Sequence, residues 1–258
     1  SVSFLHPDLL LNDIRTLLLE QQPAQPARTD AGDLRPSSLS HAGDGENDYG
    51  GEHYETRSHS LQARQGRAAD LVALVRSPPL GLPTVPVPSD NPISAAKVAL
   101  GRKLFYDRRL SLNNTFSCAM CHIPEQGFTS NEMATAVGFE GRTVRRNSPT
   151  IYNTAYLSRL FHDGREYSLE QQVWGPLLAP NEMANPSVGA VIRKLRGLPD
   201  YEGLFEAAFD GRSVGMETLG MALANYERTL LSADSPFDRW YFGGEQDALG
   251  EAERRGFG

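Results

Sequence analysis

The chain has 258 residues, a length that suits one large or two small domains. Its 25 Lys and Arg against 32 Asp and Glu give a formal net charge of −7, the wrong sign for the basic footprint of a nucleic-acid binder. No stretch reaches the roughly eighteen apolar residues of a membrane span, and the 2 cysteines are too few for a disulfide framework.

The opening SVSFLHPDLLLNDIRTLLLEQ places Leu9, Leu10, Asp13, Ile14, Leu17 and Leu18 at helical spacing, with Pro7 near the first turn. Asp8, Asp13, Arg15 and Glu20 interrupt it and no basic leader precedes an apolar block. It therefore reads as an amphipathic helix of a mature chain and not as a signal segment. From Gln21 to about Gln62 polar residues, Gly and Pro dominate, and such a tract cannot bury enough surface to offset ordering entropy. His41, His53 and His59 fall inside it and read as solvated side chains before they read as a metal site. RAADLVALVR, Arg67 to Arg76, predicts a short helix. Six prolines between Pro78 and Pro92 then predict an extended arm that lies along a surface or acts as a spacer. The compact domain is expected to begin near Asn91, which divides the chain into an irregular extension, 1–90, and a domain, 91–258.

Beyond that boundary the periodicity is helical. ISAAKVALGRKLFYD carries Leu100 and Leu104 one turn apart on a single face. Ser168 with Gln171 three residues on is a capping-box pattern, and the helix it opens runs until Pro176 disturbs it. Asn185 and Pro186 start another, with Val188, Val191, Ile192 and Leu195 on one face and Gly197 as the stop. Met216, Leu219, Leu223, Tyr226 and Leu230 step by three and four, the clearest amphipathic pattern of the chain. Ser235 or Pro236 starts the next turn. Runs of alternating β-branched residues are lacking, so the domain is expected to be all-α with long loops, and loops of that length in a helical domain usually wrap a cofactor.

FSCAMCHIP, Phe116 to Pro124, holds both cysteines and one of the 6 histidines. A disulfide between Cys118 and Cys121 would close only a tiny loop. A tetrahedral zinc site would need a second ligand pair, and His6, His41, His53, His59 and His162 do not supply a clustered one. A thioredoxin-like pair would follow a strand, but the preceding SLNNT is a turn signal. Covalent haem attachment fits best: both thiols add to the haem vinyl groups and His122 ligates iron, since residues three apart share one side of a helical turn. Such attachment takes place outside the cytoplasm in bacteria, so the motif implies an exported, periplasmic-type protein.

With the haem motif placed, four further stretches become informative. LGRKLFYDRRLSLNNTFSCAMCHIPEQGFT, RRNSPTIYN, LFHDGREYSLEQQVWGPLLAPNEM and ALANYERTLLSADSPFDRW, in that order, resemble the bacterial di-haem cytochrome c peroxidases and their relative MauG. The resemblance runs from about Ala95 to the end. It implies a cytochrome c-like helical haem domain and an oxidoreductase that reduces hydrogen peroxide with electrons from a small cytochrome c or cupredoxin. It implies Cys118 and Cys121 as thioether anchors and His122 as the proximal ligand of the peroxide-reacting haem iron. Counting on from His162, which stands at the second aromatic of the family's FWDGR motif, the distal glutamate falls on Glu182 and the family's glutamine and proline fall on Gln172 and Pro176. Glu182 is then the general base that moves a peroxide proton, and Gln172 orients peroxide or water. Asn147, which opens the NxPT motif, corresponds to a calcium ligand between the two haems, although Asn147 also reads as a plain turn residue before Ser148 and Pro149.

The sequence also departs from that pattern. His162 replaces a tryptophan implicated in electron passage, and an imidazole is harder to oxidise than an indole, so the reading of His162 is an interhaem structural role. Trp174 and Trp240 read as core or interface aromatics. A second Cys-x-x-Cys-His is lacking, and since EAERRGFG resembles the segment leading into the family's second haem motif, the second haem is expected beyond residue 258. SNEMATAVGFEGRTVRR holds no histidine to ligate the resting iron, which implies a coordination face open to peroxide. Two other functions stay open. One is a MauG-like oxidase of a partner protein or organic substrate. The other is a non-catalytic electron-transfer c-type cytochrome, with Met133 or Met183 as second axial ligand. A homodimer is among the assemblies the resemblance allows.

Overall fold

A computed structural model describes residues 70–257, and the helix expected near residues 9–18 and the polar tract after it lie outside them. Among the described residues there is no strand, only three isolated bridges, Ile123 with Thr129, Val137 with Thr143 and Leu160 with Glu166, each pinching one loop shut. The fold is all-α with long loops.

Among the described residues, four helices start at serine caps and one at an aspartate. Asp70 accepts from the backbone of Val72 and Ala73 to open α1, Leu71–Arg76, and Ser94 accepts from Lys97 N to open α2, Ala95–Tyr106. Ser168 opens α3, Leu169–Gln172, which passes through Val173 into α4, Trp174–Leu178. The proline effect thus falls one turn ahead of Pro176: lacking an N–H, Pro176 cannot bond the carbonyl of Gln172, and the helix loosens there. Ser187 caps α5, Val188–Arg196, which ends at Gly197. A short helix α6, Leu204–Ala208, precedes α7, Met216–Glu227. Ser235 and Asp238 form a reciprocal capping box at the start of α8, Pro236–Tyr241, and α9, Glu251–Phe257, follows.

The centre of the body is α7. Its sequence predicts one apolar face, yet Thr218, Ala222, Ala224 and Asn225 are buried along with Leu219, Leu223 and Tyr226, while Met216 is 50% exposed. Small residues on the other faces are the reason, because they let neighbours come close on several sides. A Cβ on Gly101 of α2 would fall 1.9 Å from the carbonyl oxygen of Ala222, so α2 approaches α7 backbone to backbone. Across α7, α3 carries Glu170 into a polar knot with Asn91, Asn225 and Arg228: Asn91 Nδ2 donates to Glu170 Oε1 at 2.8 Å, and Asn225 Nδ2 donates to Asn91 Oδ1 at 2.8 Å. Arg228 Nη1 stands 2.8 Å from Glu170 Oε1 as a charge contact that is off the hydrogen-bond direction.

The proline-rich arm lies along this body. Val75 and Val85 form a cluster with Leu231, the hydroxyl of Tyr156 donates to Pro83 O at 2.8 Å, and Asp234 N donates to Leu80 O at 2.9 Å. Residues 70–90 therefore pack on the same body as residues 91–257, ahead of the expected start near Asn91.

The buried ion pair makes a measurable demand. Burial pushes Glu170 up, but Arg228 and the Asn91 amide more than offset it and leave the carboxyl below its ordinary value. With a depressed folded pKa, the stability from this group is present above the unfolded pKa and lost as pH falls through the folded one. Arg228→Ala should lower the unfolding free energy by about 3 kcal/mol, read as a lower denaturant midpoint at neutral pH, and the deficit should shrink in acid.

Candidate functional site

Cys118, Ala119 and Met120 form one 3-10 turn in which Cys121 N donates to Cys118 O at 3.2 Å and His122 N donates to the same oxygen at 2.9 Å. In a turn of this type residues three apart eclipse, which brings the two cysteines to one side. Both thiols are free. Burial pushes Cys118 up to about 12, reinforced by the carboxylates of Glu227 and Glu182 and by Cys121. Burial and Glu182 push Cys121 up to about 11. Thiols held neutral are poor nucleophiles, which weighs against the redox-pair reading. A thioether has no ionisation to lose, so this environment suits sulfurs bonded to carbon.

His122 is held by its own loop and by a second one. Its Nδ1 lies 3.0 Å from Phe128 O and 3.0 Å from Pro149 O. Carbonyl oxygens only accept, so Nδ1 carries the proton and Nε2 keeps its lone pair. Burial favours the neutral ring, more than the two carbonyls favour the charged one. The result is the tautomer that a metal ion requires, with Nε2 as the ligating atom. Phe128 reaches this position with φ 57°, the left-handed region that a bulky residue rarely enters. Its ring is fully buried, which offsets the strain, and the bend turns its carbonyl onto the imidazole.

The second loop is stapled to the first by side chains of NSPT. Asn147 Nδ2 donates to Ser130 O at 2.5 Å, Thr150 Oγ1 donates to Gly127 O at 2.6 Å, and Thr129 Oγ1 donates to Ser148 O. Asn147 Oδ1 accepts from Ser148 N at 2.9 Å. Asn147 is thus a strut between loops, and His162, although exposed, extends it by placing Nε2 3.1 Å from the Asn147 carbonyl oxygen. Among the described residues no three His, Cys, Asp or Glu side chains gather to hold a metal ion.

Glu182 sits in a tight turn after α4. Met183 N donates to Pro176 O at 3.1 Å, Glu182 N donates to Ala179 O at 3.0 Å, and Phe139 N donates to Glu182 O at 2.9 Å. A Cβ on Gly138 would fall 2.3 Å from Asn181 O, so the 137–139 segment and the Glu182 turn touch through backbone. On its other side that segment meets the haem motif, with Cys121 Sγ 4.0 Å from Val137 O. Burial raises the Glu182 carboxyl above its ordinary value, opposed by the charge of Arg165. Arg165 stands over the Phe161 ring at 3.5 Å and pairs with Asp163 at 2.8 Å, so the FHDGR stretch delivers a cation into the field of the carboxyl. Gln172 and Pro176 flank the α3–α4 joint, both half-buried.

The geometry thus gathers Cys118, Cys121, His122 and Glu182, with Pro176 fixing the Glu182 turn, while His162 and Asn147 belong to the loop staple. Sequence patterns missed Phe128, Pro149, Gly138 and Arg165. Gly127 before Phe128 is a turn signal for the first; the other three act through backbone approach or long-range charge, which no spacing reveals. Replacement Gly138→Ala should cost about 1–3 kcal/mol of stability, read as a lower thermal midpoint, because backbone on the Glu182 turn must move.

With this geometry in hand, similarity to known proteins can be stated. Residues 95–247 match the family described as di-haem cytochrome c peroxidase. The chain is 41% identical over 199 residues to the methylamine utilization protein MauG of Methylorubrum extorquens, covering 77% of this chain and 54% of that protein. It is 37% identical over 175 residues to the cytochrome c peroxidase Ccp of Escherichia coli, covering 68% of this chain and 37% of that one. A solved MauG-like protein associated with microbial copper homeostasis superposes with a TM-score of 0.63 at 34% identity, covering 70% of this chain and 53% of its own. The chain spans about half the length of the MauG relative it matches.

Proposed function

Since the chain belongs to the di-haem cytochrome c peroxidase family, we propose that residues 91–258 act as its peroxide-reacting haem c domain, reducing hydrogen peroxide to water with electrons from a small redox protein. One observation carries the reading: two neutral sulfurs on one turn, next to an imidazole with a free Nε2, lie within the electrostatic field of a half-buried carboxyl that desolvation raises above its ordinary value. Cys118 and Cys121 would anchor haem c and His122 Nε2 would ligate its iron. When bound, the haem supplies an iron site that takes up peroxide oxygen and passes electrons.

The side chains do the proton work. Glu182 accepts the proton on the inner peroxide oxygen and returns it to the outer one, which leaves as water. Gln172 orients the peroxide or a water. Pro176 acts through its carbonyl, which holds the backbone of Met183 and so aims the neighbouring Glu182. The charge of Arg165 favours the ionised form of Glu182 against the effect of burial. His162 tethers the loop that carries Pro149 O.

A second haem beyond residue 258 would store or relay an electron, and calcium at Asn147 would draw on loop oxygens. Haem c attachment supports an exported location, and among the described residues no helix is long and apolar enough to cross a membrane. A MauG-like oxidase of a partner protein is the second reading, favoured by the 41% identity to MauG. An electron-transfer cytochrome would need Met183, which is buried, or Met133, which is 49% exposed, as a second axial ligand.

In the haem-loaded protein Glu182→Gln should abolish peroxide turnover, with covalent haem content unchanged by mass; full turnover in the variant rejects the base. Because the active form is the carboxylate and its pKa is raised, the wild-type rate should fall with pH at a midpoint above the ordinary glutamate range. A high-spin ferric visible spectrum is expected, and a low-spin band from methionine ligation would favour electron transfer instead.

A further inference from the structure

Behind His122 lies a connected set of rings that the proton chemistry does not use. Phe128, whose carbonyl holds the imidazole, sets its ring edge-on against Tyr152 with centroids 5.1 Å apart. The same ring meets Phe105 at 6.2 Å, and Phe105 stands 5.3 Å from both Tyr106 and Tyr226. The last two share a hydrogen bond, with phenol oxygens 3.3 Å apart. Tyr226 is fully buried, whereas Tyr106 and Tyr152 are partly open to solvent.

We propose that this set is a route for oxidising equivalents, with the Tyr106–Tyr226 pair holding one of them after a hydroperoxide has reacted at the haem. This inference rests on the peroxidase reading. Among side chains near His122 the phenols are the most easily oxidised, and rings in edge contact give an electron an unbroken path toward the imidazole. Burial holds Tyr226 well above its ordinary pKa and pushes Tyr152 up to about 12, so the phenols are neutral at rest and oxidation must carry a proton away. The hydroxyl pair supplies that exit.

The step balances as follows. Hydrogen peroxide gains two electrons and, from solvent, two protons, and leaves as two waters; Tyr226 would supply one electron and the external electron donor the other. The Tyr226 hydroxyl proton crosses to the Tyr106 oxygen, and the Tyr106 proton passes to surface water, leaving a neutral phenoxyl radical on Tyr226. An outside reductant returns the electron and water returns the proton.

The test is rapid-freeze electron paramagnetic resonance of the haem-loaded protein mixed with hydrogen peroxide. A tyrosyl signal is expected in the wild type, lost in Tyr226→Phe, broadened or short-lived in Tyr106→Phe, and retained in Tyr241→Phe at the exposed surface. Where a Phe variant fails to load haem, 3-fluorotyrosine at the same position replaces it, and the fluorine coupling should appear in the signal. A signal that ignores both positions overturns the proposal. If the haem band responds to peroxide but no tyrosyl signal forms, this inference falls and the peroxidase reading stands; if the band does not respond, both fall.

Discussion

One imidazole nitrogen organises the site. His122 Nδ1 is held between two carbonyl oxygens, one from its own loop and one from a loop 27 residues on. Neither carbonyl comes from regular secondary structure, so both must be held by something else. Phe128 O is aimed by a left-handed residue whose buried ring cannot swing away, and Pro149 O is aimed by the side-chain staple of Thr129, Asn147 and Thr150. The loops are long because two separate segments must reach one ring, and they are rigid because their polar groups bond across to each other.

The helices serve this arrangement by supplying a frame that cannot shift. Because α7 is buried on almost all sides, α2 and α3 are fixed to each other through it, and the haem motif follows directly from α2. The end of α7 also reaches the site electrically. Glu227 is buried, and burial raises its carboxyl to about 8, with Arg228 opposing and Glu170 reinforcing. That acid in turn raises Cys118. Core packing and site electrostatics are therefore not separable in this fold, since the helix that closes the core carries the charges that set the sulfur environment.

Much of this was legible in advance and some was not, for physical reasons. Helix starts at Ser168 and Ser235 were readable because a hydroxyl before an apolar period has a local purpose, whereas the start read at Asn185 and Pro186 falls at the Ser187 cap. The haem motif was readable because its chemistry demands fixed spacing. What spacing cannot carry is the direction of a carbonyl, so Phe128 and Pro149 passed unnoticed beside the conspicuous His122. Nor can periodicity separate a helix with one apolar face from one buried all round when the remaining faces are Ala, Gly, Thr and Asn, as in α7. The proline-rich arm gave its extended shape but not its docking, which depends on Val75 and Val85 meeting Leu231, far along the chain.

The two carboxyls whose fields reach the sulfurs differ in how their burial is answered. Glu182 and Glu227 are both raised by burial, yet their opposing cations differ in kind. Arg228 is itself buried and shared with Glu170, so its charge is largely answered before Glu227 can use it. Arg165 is exposed and its guanidinium lies over Phe161, partnered by a carboxylate in solvent, which leaves it to act across the gap on Glu182. Glu182, opposed by a cation that stands in solvent, and Glu227, at the end of α7 itself, are thus two acids raised by the same effect of burial and answered by different cations.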